Sequence, residues 1–162
     1  MENIFDHTMQ MEWDGEKYYR ELADKALAKG LKGILTMLAE DEVKHFNVFK
    51  EMKEQEAPEV SETDVLMRSK NVFSQMQEQG EKFDFDISEK ELYQKAQGLE
   101  KETEDFYLQQ SKETTNPKHK QIFLKIAEEE RKHYFLLENI IDFISTPETW
   151  LENSEFTHLD EG

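Results

Sequence analysis

MEWDGEKYY (11–19) and LAEDEVKHF (38–46) return 88 residues further on as LEKETEDFY (99–107) and IAEEERKHY (126–134). Glu12 precedes Tyr19 by seven residues, and a Glu-x-x-His pair, Glu42 with His45, begins 30 residues after Glu12. Glu100, Tyr107, Glu130 and His133 repeat that pattern without change of spacing. Helix geometry turns the spacing into chemistry. Each helical residue advances about 100°, so Glu42 and His45 project from one face, as do Glu12 and Tyr19. One tight turn between antiparallel helices places Glu12 roughly level with Glu42. Joining the two copies then brings four carboxylates and two imidazoles together, the ligand set of a two-metal site inside a helical bundle.

Laying 11–46 on 99–134 without gaps leaves ten identities: Glu12, Glu16, Tyr19, Lys32, Ile34, Ala39, Glu40, Glu42, Lys44 and His45, each with its partner 88 further on. The halves read as one hairpin duplicated and facing itself across a pseudo-twofold axis. Glutamate supplies 27 of 162 residues, so a single Glu-x-x-His carries little weight. Glu155 and His158 form one in the tail, without partners at matching offsets, and read as surface. The repeated glutamates differ because Met11, Ala39, Leu99 and Ala127 flank them with apolar neighbours. Four carboxylates in an apolar centre repel one another and resist ionisation. Two divalent cations resolve that conflict by supplying the opposite charge. Carboxylate and imidazole ligation without sulfur suits iron or manganese, and zinc or cobalt can substitute.

Composition excludes other classes. With 36% hydrophobic and 35% charged residues, the chain suits long amphipathic helices with wet outer faces, and 162 residues make about one domain. A net charge of −17 disfavours nucleic acid and anionic membrane surfaces, both of which need clustered Lys and Arg. No apolar run approaches the ~20 residues of a membrane span. The first residues, MENIFDHTMQMEWDGE, lack the parts of a signal peptide, so a cytoplasmic location is expected. Zero cysteines leave no disulfide, thiolate nucleophile or sulfur-ligated metal centre.

The periodicity predicts four long helices and one long connection. The first runs from about Ile4 to Lys29, and Gly30 with Gly33 marks the break before a second that continues to about Gln55 and is ended by Pro58. Ser61 to Asp64 offers caps for a shorter helix through Val65, Leu66, Val72, Phe73 and Met76, stopped by Gly80. EKFDFDI (81–87) is expected to be extended loop, and Ser88 with Glu91 a capping box that opens the third long helix, to about Thr114. Asn116-Pro117 starts the fourth, which ends before Pro147. Tight turns make each hairpin antiparallel. The connection over about 57–87 is long enough to return along a helix of ~39 Å, giving an up-down-down-up arrangement with one crossover. The bundle occupies 1–146 and a tail 147–162, where Trp150, Leu151 and Phe156 are expected to dock as a short helix.

The four quoted segments resemble the rubrerythrin branch of the ferritin-like diiron-carboxylate proteins, over about residues 3–144. The resemblance implies an all-α, ferritin-like four-helix bundle holding two Fe ions. It also implies that Glu12 and Glu100 are terminal carboxylates, that Glu42 and Glu130 bridge the ions, and that His45 and His133 each hold one. Tyr19 and Tyr107 would hydrogen-bond the carboxylates from outside. There are two departures. Full-length rubrerythrins carry a cysteine-ligated rubredoxin-like module, which this cysteine-free chain lacks. They also usually place a further glutamate where Thr103 stands, so a symmetrical four-Glu, two-His site is expected, closer to bacterioferritin-like centres.

The functional expectation is an oxidoreductase that reduces peroxide or oxygen, supplied with electrons by a separate rubredoxin-like donor. The alternatives are a ferroxidase, a non-catalytic iron-handling protein, and a structural bundle with a degenerate site. A homodimer is expected from apolar Val65, Leu66, Phe73 and Met76 on the crossover helix, and a hollow cage is not, because no fifth long helix follows Pro147. Glu16 and Glu104 are expected to support the ligands or line a channel. Lys32, Lys44 and their repeats are expected in solvent, and Glu40 and Glu128 on the surface or paired with Lys44 and Lys132. Trp13 and Trp150 read as packing or interface residues, and His7 and His119 as exposed.

Overall fold

The structure, a computed structural model, describes residues 3–79 and 87–145, with the side chains of 87 and 88 excepted. The described residues form five helices: α1 Ile4–Lys25, α2 Lys29–Lys53, α3 Val65–Glu78, α4 Ile87–Glu113 and α5 Pro117–Ser145. Asn3 caps α1 by accepting from the Phe5 amide at 2.8 Å. Asn116 caps α5, accepting from the Lys118 and His119 amides at 3.0 and 3.2 Å, with Pro117 in the first helical position where a missing N–H costs nothing.

Directions follow from residues that meet. Tyr19 reaches Glu100 while Tyr107 reaches Glu12, so α1 and α4 are antiparallel. His45 meets Glu129 while His133 meets Asp41, so α2 and α5 are antiparallel too. With tight turns inside each hairpin, the order is up-down-down-up, the ferritin-like bundle that the sequence predicts. Apolar side chains collect at two levels. One cluster includes Leu31, Leu35, Leu38, Leu136 and Ile140; the other includes Phe49, Met52, Tyr107, Phe123 and Ile126. No described helix is long and apolar enough to cross a membrane.

Several expectations need correction. The break between α1 and α2 falls at Ala26–Ala28, four residues early, with Ala26 and Ala28 in extended conformation. Gly30 and Gly33 lie inside α2 instead. Gly30 is small for packing rather than for turning: a Cβ there would stand 2.2 Å from Met76 Sδ, where α3 crosses α2. Lys32 is not a solvated lysine, because its ammonium donates to the Ala23 and Asp24 carbonyls and closes the end of α1. The apolar residues assigned to a dimer surface are inside the bundle: Val65, Phe73 and Met76 are buried in the first cluster, with Leu66 packed against it. That reason for a dimer falls away. α4 begins at Ile87, one residue before the Ser88 cap expected for it. The stretch 80–86, the Ser88 side chain and the tail 146–162, with Trp150, Leu151 and Phe156, lie outside the described residues.

Pro58 does not end α2. The helix stops at Lys53 with a Schellman motif, in which the Glu56 and Gln55 amides donate to the Glu51 and Met52 carbonyls, both at 3.0 Å. The motif needs a left-handed residue, and Gln55 takes it at φ 66°. Gln55→Gly is therefore expected to raise stability by about 1 kcal/mol, seen as a higher urea midpoint with an unchanged slope. Gly30→Ala is expected to cost about 1–3 kcal/mol through overpacking. Trimming the facing side chain with Met76→Ala should remove most of that penalty in a double-mutant cycle.

Candidate metal centre

Between the two apolar clusters lies a layer of ionisable side chains. Glu12 comes from α1, Glu42 and His45 from α2, Glu100 from α4, and Glu130 and His133 from α5; none is more than 4% exposed. Their ligand atoms form two overlapping sets, Glu12, Glu42, His45, Glu130 and Glu42, Glu100, Glu130, His133, with atoms in each set within 4.8 Å of one another. Metal–ligand bonds of about 2.0–2.2 Å hold donors at roughly such separations around one ion. Glu42 and Glu130 belong to both sets. His45 Nδ1 lies 2.8 Å from Glu130 Oε1 and 3.4 Å from Glu12 Oε2; His133 Nδ1 lies 3.1 Å from Glu42 Oε1 and 3.4 Å from Glu100 Oε1. The two rings face each other 6.0 Å apart.

Each half holds the ligands of the other. The Tyr107 hydroxyl donates to Glu12 Oε1 at 2.7 Å, and the Tyr19 hydroxyl donates to Glu100 Oε1. The imidazoles are gripped by two residues that the repeat of identities did not pick out. His45 Nε2 meets Glu129 Oε1 at 2.7 Å, and His133 Nε2 meets Asp41 Oδ2 at 2.9 Å. Asp41 and Glu129 stand 88 apart, one an aspartate and the other a glutamate, so a search for identical residues passes over them. A search for carboxylates at matched offsets would have found both. With each Nε2 facing a carboxylate, each Nδ1 points to the centre as the donor. The support extends outward: Lys44 donates to Glu129 at 3.0 Å and to the Ser61 carbonyl at 2.6 Å, while the Thr63 hydroxyl donates to Asp41. Lys44 is thus neither simply solvated nor paired with Glu40. Glu16 and Glu104 form ion pairs with Arg20 and Lys101.

The donor set fits a pair of cations. Glu12 Oε2, Glu42 Oε1, Glu100 Oε2, Glu130 Oε1 and both histidine Nδ1 atoms are buried without a hydrogen-bond partner. Orphaned polar atoms of this kind are costly one at a time, and here six converge on one point. Burial and then the neighbouring carboxylates push Glu42 and Glu130 well above the ordinary carboxylate range. Burial opposes charge on His45 and His133, yet the surrounding carboxylates outweigh it and raise both. Asp41 goes the other way: burial would raise it, but its hydrogen bond to His133, with the charge of that ring, brings it down to about 2. Tyr19 and Tyr107 are raised by burial and then by Glu100 and Glu12 respectively, so both remain phenols that donate.

The rubrerythrin family model matches residues 3–141, and the chain belongs to the rubrerythrin family. No curated protein and no solved structure matches it. The family is one of diiron-carboxylate proteins, and the buried Glu and His groups described above are those that could hold metal in this member.

Raised groups set the sign of the pH dependence. Glu42, Glu130, His45 and His133 bind protons more tightly folded than unfolded, so their contribution is present at low pH and lost as pH rises through their folded values. The metal-free protein is expected to lose thermal stability as pH rises above the ordinary carboxylate range, and metal-loaded protein to resist that loss. Loading with a divalent cation near pH 7 should release protons, measurable by calorimetry in buffers of different ionisation enthalpy. Asp41→Ala and Glu129→Ala are each expected to weaken metal binding about 10–100-fold in competition with a chelator.

Proposed function

We propose that this chain is a diiron-carboxylate oxidoreductase that reduces peroxide or oxygen, with electrons from a separate rubredoxin-like protein. One observation supports it above the rest: two ligand sets that share Glu42 and Glu130, with six buried donor atoms unsatisfied. In this reading Glu12, Glu42, Glu100, Glu130, His45 and His133 would hold the ions, with Glu42 and Glu130 common to both ligand sets. Iron held there would supply the two electrons that cleaving the O–O bond of hydrogen peroxide consumes, with two protons, to give two waters. The chain's own groups do the rest. Tyr19 and Tyr107 hold one oxygen of each terminal carboxylate by donation, leaving the other free. Asp41 and Glu129 fix the imidazole tautomers from the rear. The two apolar clusters keep bulk water from both ends of the layer, strengthening every electrostatic interaction within it.

A second reading has its own support. Thr103 leaves the ligand set symmetrical, four Glu and two His, as suits a ferroxidase that takes ferrous ion as substrate. The two separate by stoichiometry. Anaerobic protein loaded with ferrous iron is expected to hold about two ions per chain and to be oxidised by one equivalent of hydrogen peroxide, with a near-ultraviolet charge-transfer band developing. Turnover with reduced rubredoxin should follow. Uptake well beyond two ions per chain would favour iron handling instead. In a Glu42→Ala, Glu130→Ala double variant, elemental analysis is expected to show both ions lost; retention of both would overturn the site.

A further inference from the structure

One side of the metal layer is closed and the opposite side is open. Toward α2 and α5, Asp41, Glu129, Lys44 and Thr63 cover the histidines with a hydrogen-bonded shell. Toward α1 and α4, a cleft of ≈430 Å³ leads inward and ends on Glu42, Glu100 and Glu130. Its lining includes three pairs of residues related by the 88-residue repeat: Met11 with Leu99, Gly15 with Thr103, and Asp14 with Glu102. The cleft therefore straddles the pseudo-twofold axis, aligned on the shared ligands.

Its lining combines apolar side chains with the charged Asp14, Glu102 and Lys95. Met11, Leu99 and Ala96 are apolar. Hydroxyls that could have made the wall polar are turned to backbone: Thr103 donates to the Leu99 carbonyl at 2.8 Å and Tyr18 to the Leu92 carbonyl at 2.9 Å. Gly15 contributes no side chain, and a Cβ at that point would stand 3.0 Å from Glu42 Oε2. Unpartnered oxygens of Glu42, Glu100 and Glu130 lie in the residues at the inner end, while exposed Asp14 and Glu102 lie at the mouth. Hydrogen peroxide occupies little more space than two waters of about 30 Å³ each. A cleft this size matches the range of small organic ligands.

We infer that the α1–α4 cleft binds the apolar body of a neutral organic hydroperoxide and presents its O–O group to the shared carboxylates' end. The inference rests on the peroxide-reducing reading above. The O–O bond of ROOH breaks, two electrons from the centre and two protons are taken up, and ROH and one water leave. The rubredoxin-like donor returns the electrons one at a time. With exposed Asp14 and Glu102 against Lys95, the outer lining is net negative and disfavours anionic hydroperoxides.

The test separates this inference from the reading beneath it. Zinc-loaded, redox-inert protein is titrated with 2-phenyl-2-propanol, the alcohol product of cumene hydroperoxide, while the Met11 methyl resonance is followed. Saturable shifts are expected with Kd about 1 mM, a strength reasonable for a ligand of that size. Thr103→Phe, which fills the cleft from a half-buried position, should weaken binding at least about tenfold. Leu99→Glu, at an exposed wall position, serves the same purpose if that variant does not fold. Iron-loaded protein should show kcat/KM for cumene hydroperoxide at least about tenfold above that for hydrogen peroxide. Absence of saturable binding together with a preference for hydrogen peroxide would overturn the inference while leaving peroxide reduction standing. Failure of both peroxides to oxidise the reduced centre would overturn the underlying reading and this inference with it.

Discussion

Four carboxylates that cannot all be charged without a counter-ion lie at the middle of this bundle, and the surrounding structure is arranged around that constraint. Left alone, Glu42 and Glu130 hold protons well past the point where exposed glutamates release them, because burial and their neighbours both oppose ionisation. A hydrophobic replacement would pack there with less conflict. The layer makes physical sense as a device that trades folding stability for a fixed cluster of carboxylates, ready for cations.

Cross-bracing keeps that charge in register. Every ligand that receives support from a described hydrogen bond receives it from the opposite hairpin: Tyr107 holds Glu12, Tyr19 holds Glu100, Glu129 holds His45 and Asp41 holds His133. Neither hairpin can rotate or slide without moving the other's donors. The crossover helix adds a clamp at one end, with Phe73 and Met76 buried against the bundle and Gly30 cut back to admit Met76. At the other end, the rings of Phe49, Tyr107 and Phe123 pack together at tilted angles.

The ligand residues were legible because metal chemistry demands particular atoms at particular spacings, and duplication printed that demand twice. Helix directions were legible from the short turns. Asp41 and Glu129 escaped notice because their task needs only a carboxylate oxygen, which aspartate and glutamate both supply. The α1–α2 turn was misplaced at Gly30 and Gly33 because glycine marks both turns and close packing, and one sequence does not say which is meant. Lys32 and Lys44 look like solvated lysines until their tertiary neighbours are known. The same limit applied to Val65, Phe73 and Met76: amphipathicity shows that a helix has a face to bury, but not whether the cover is its own bundle or another chain. The open cleft left its mark only in what is missing, a glycine and a threonine at mated positions.

The reciprocal bracing has a consequence for how such a protein can arise. One hairpin carries a glutamate, a tyrosine, a Glu-x-x-His pair and the acid just before it, which is half of the candidate centre. Two separate copies, associating face to face about a twofold axis, would assemble the whole arrangement with no additional residue. Fusing them into one chain changes the order of the reaction that builds the centre, from a collision between molecules to a folding step within one. It also frees the halves to differ, and the unlike pair Gly15 and Thr103 is such a divergence.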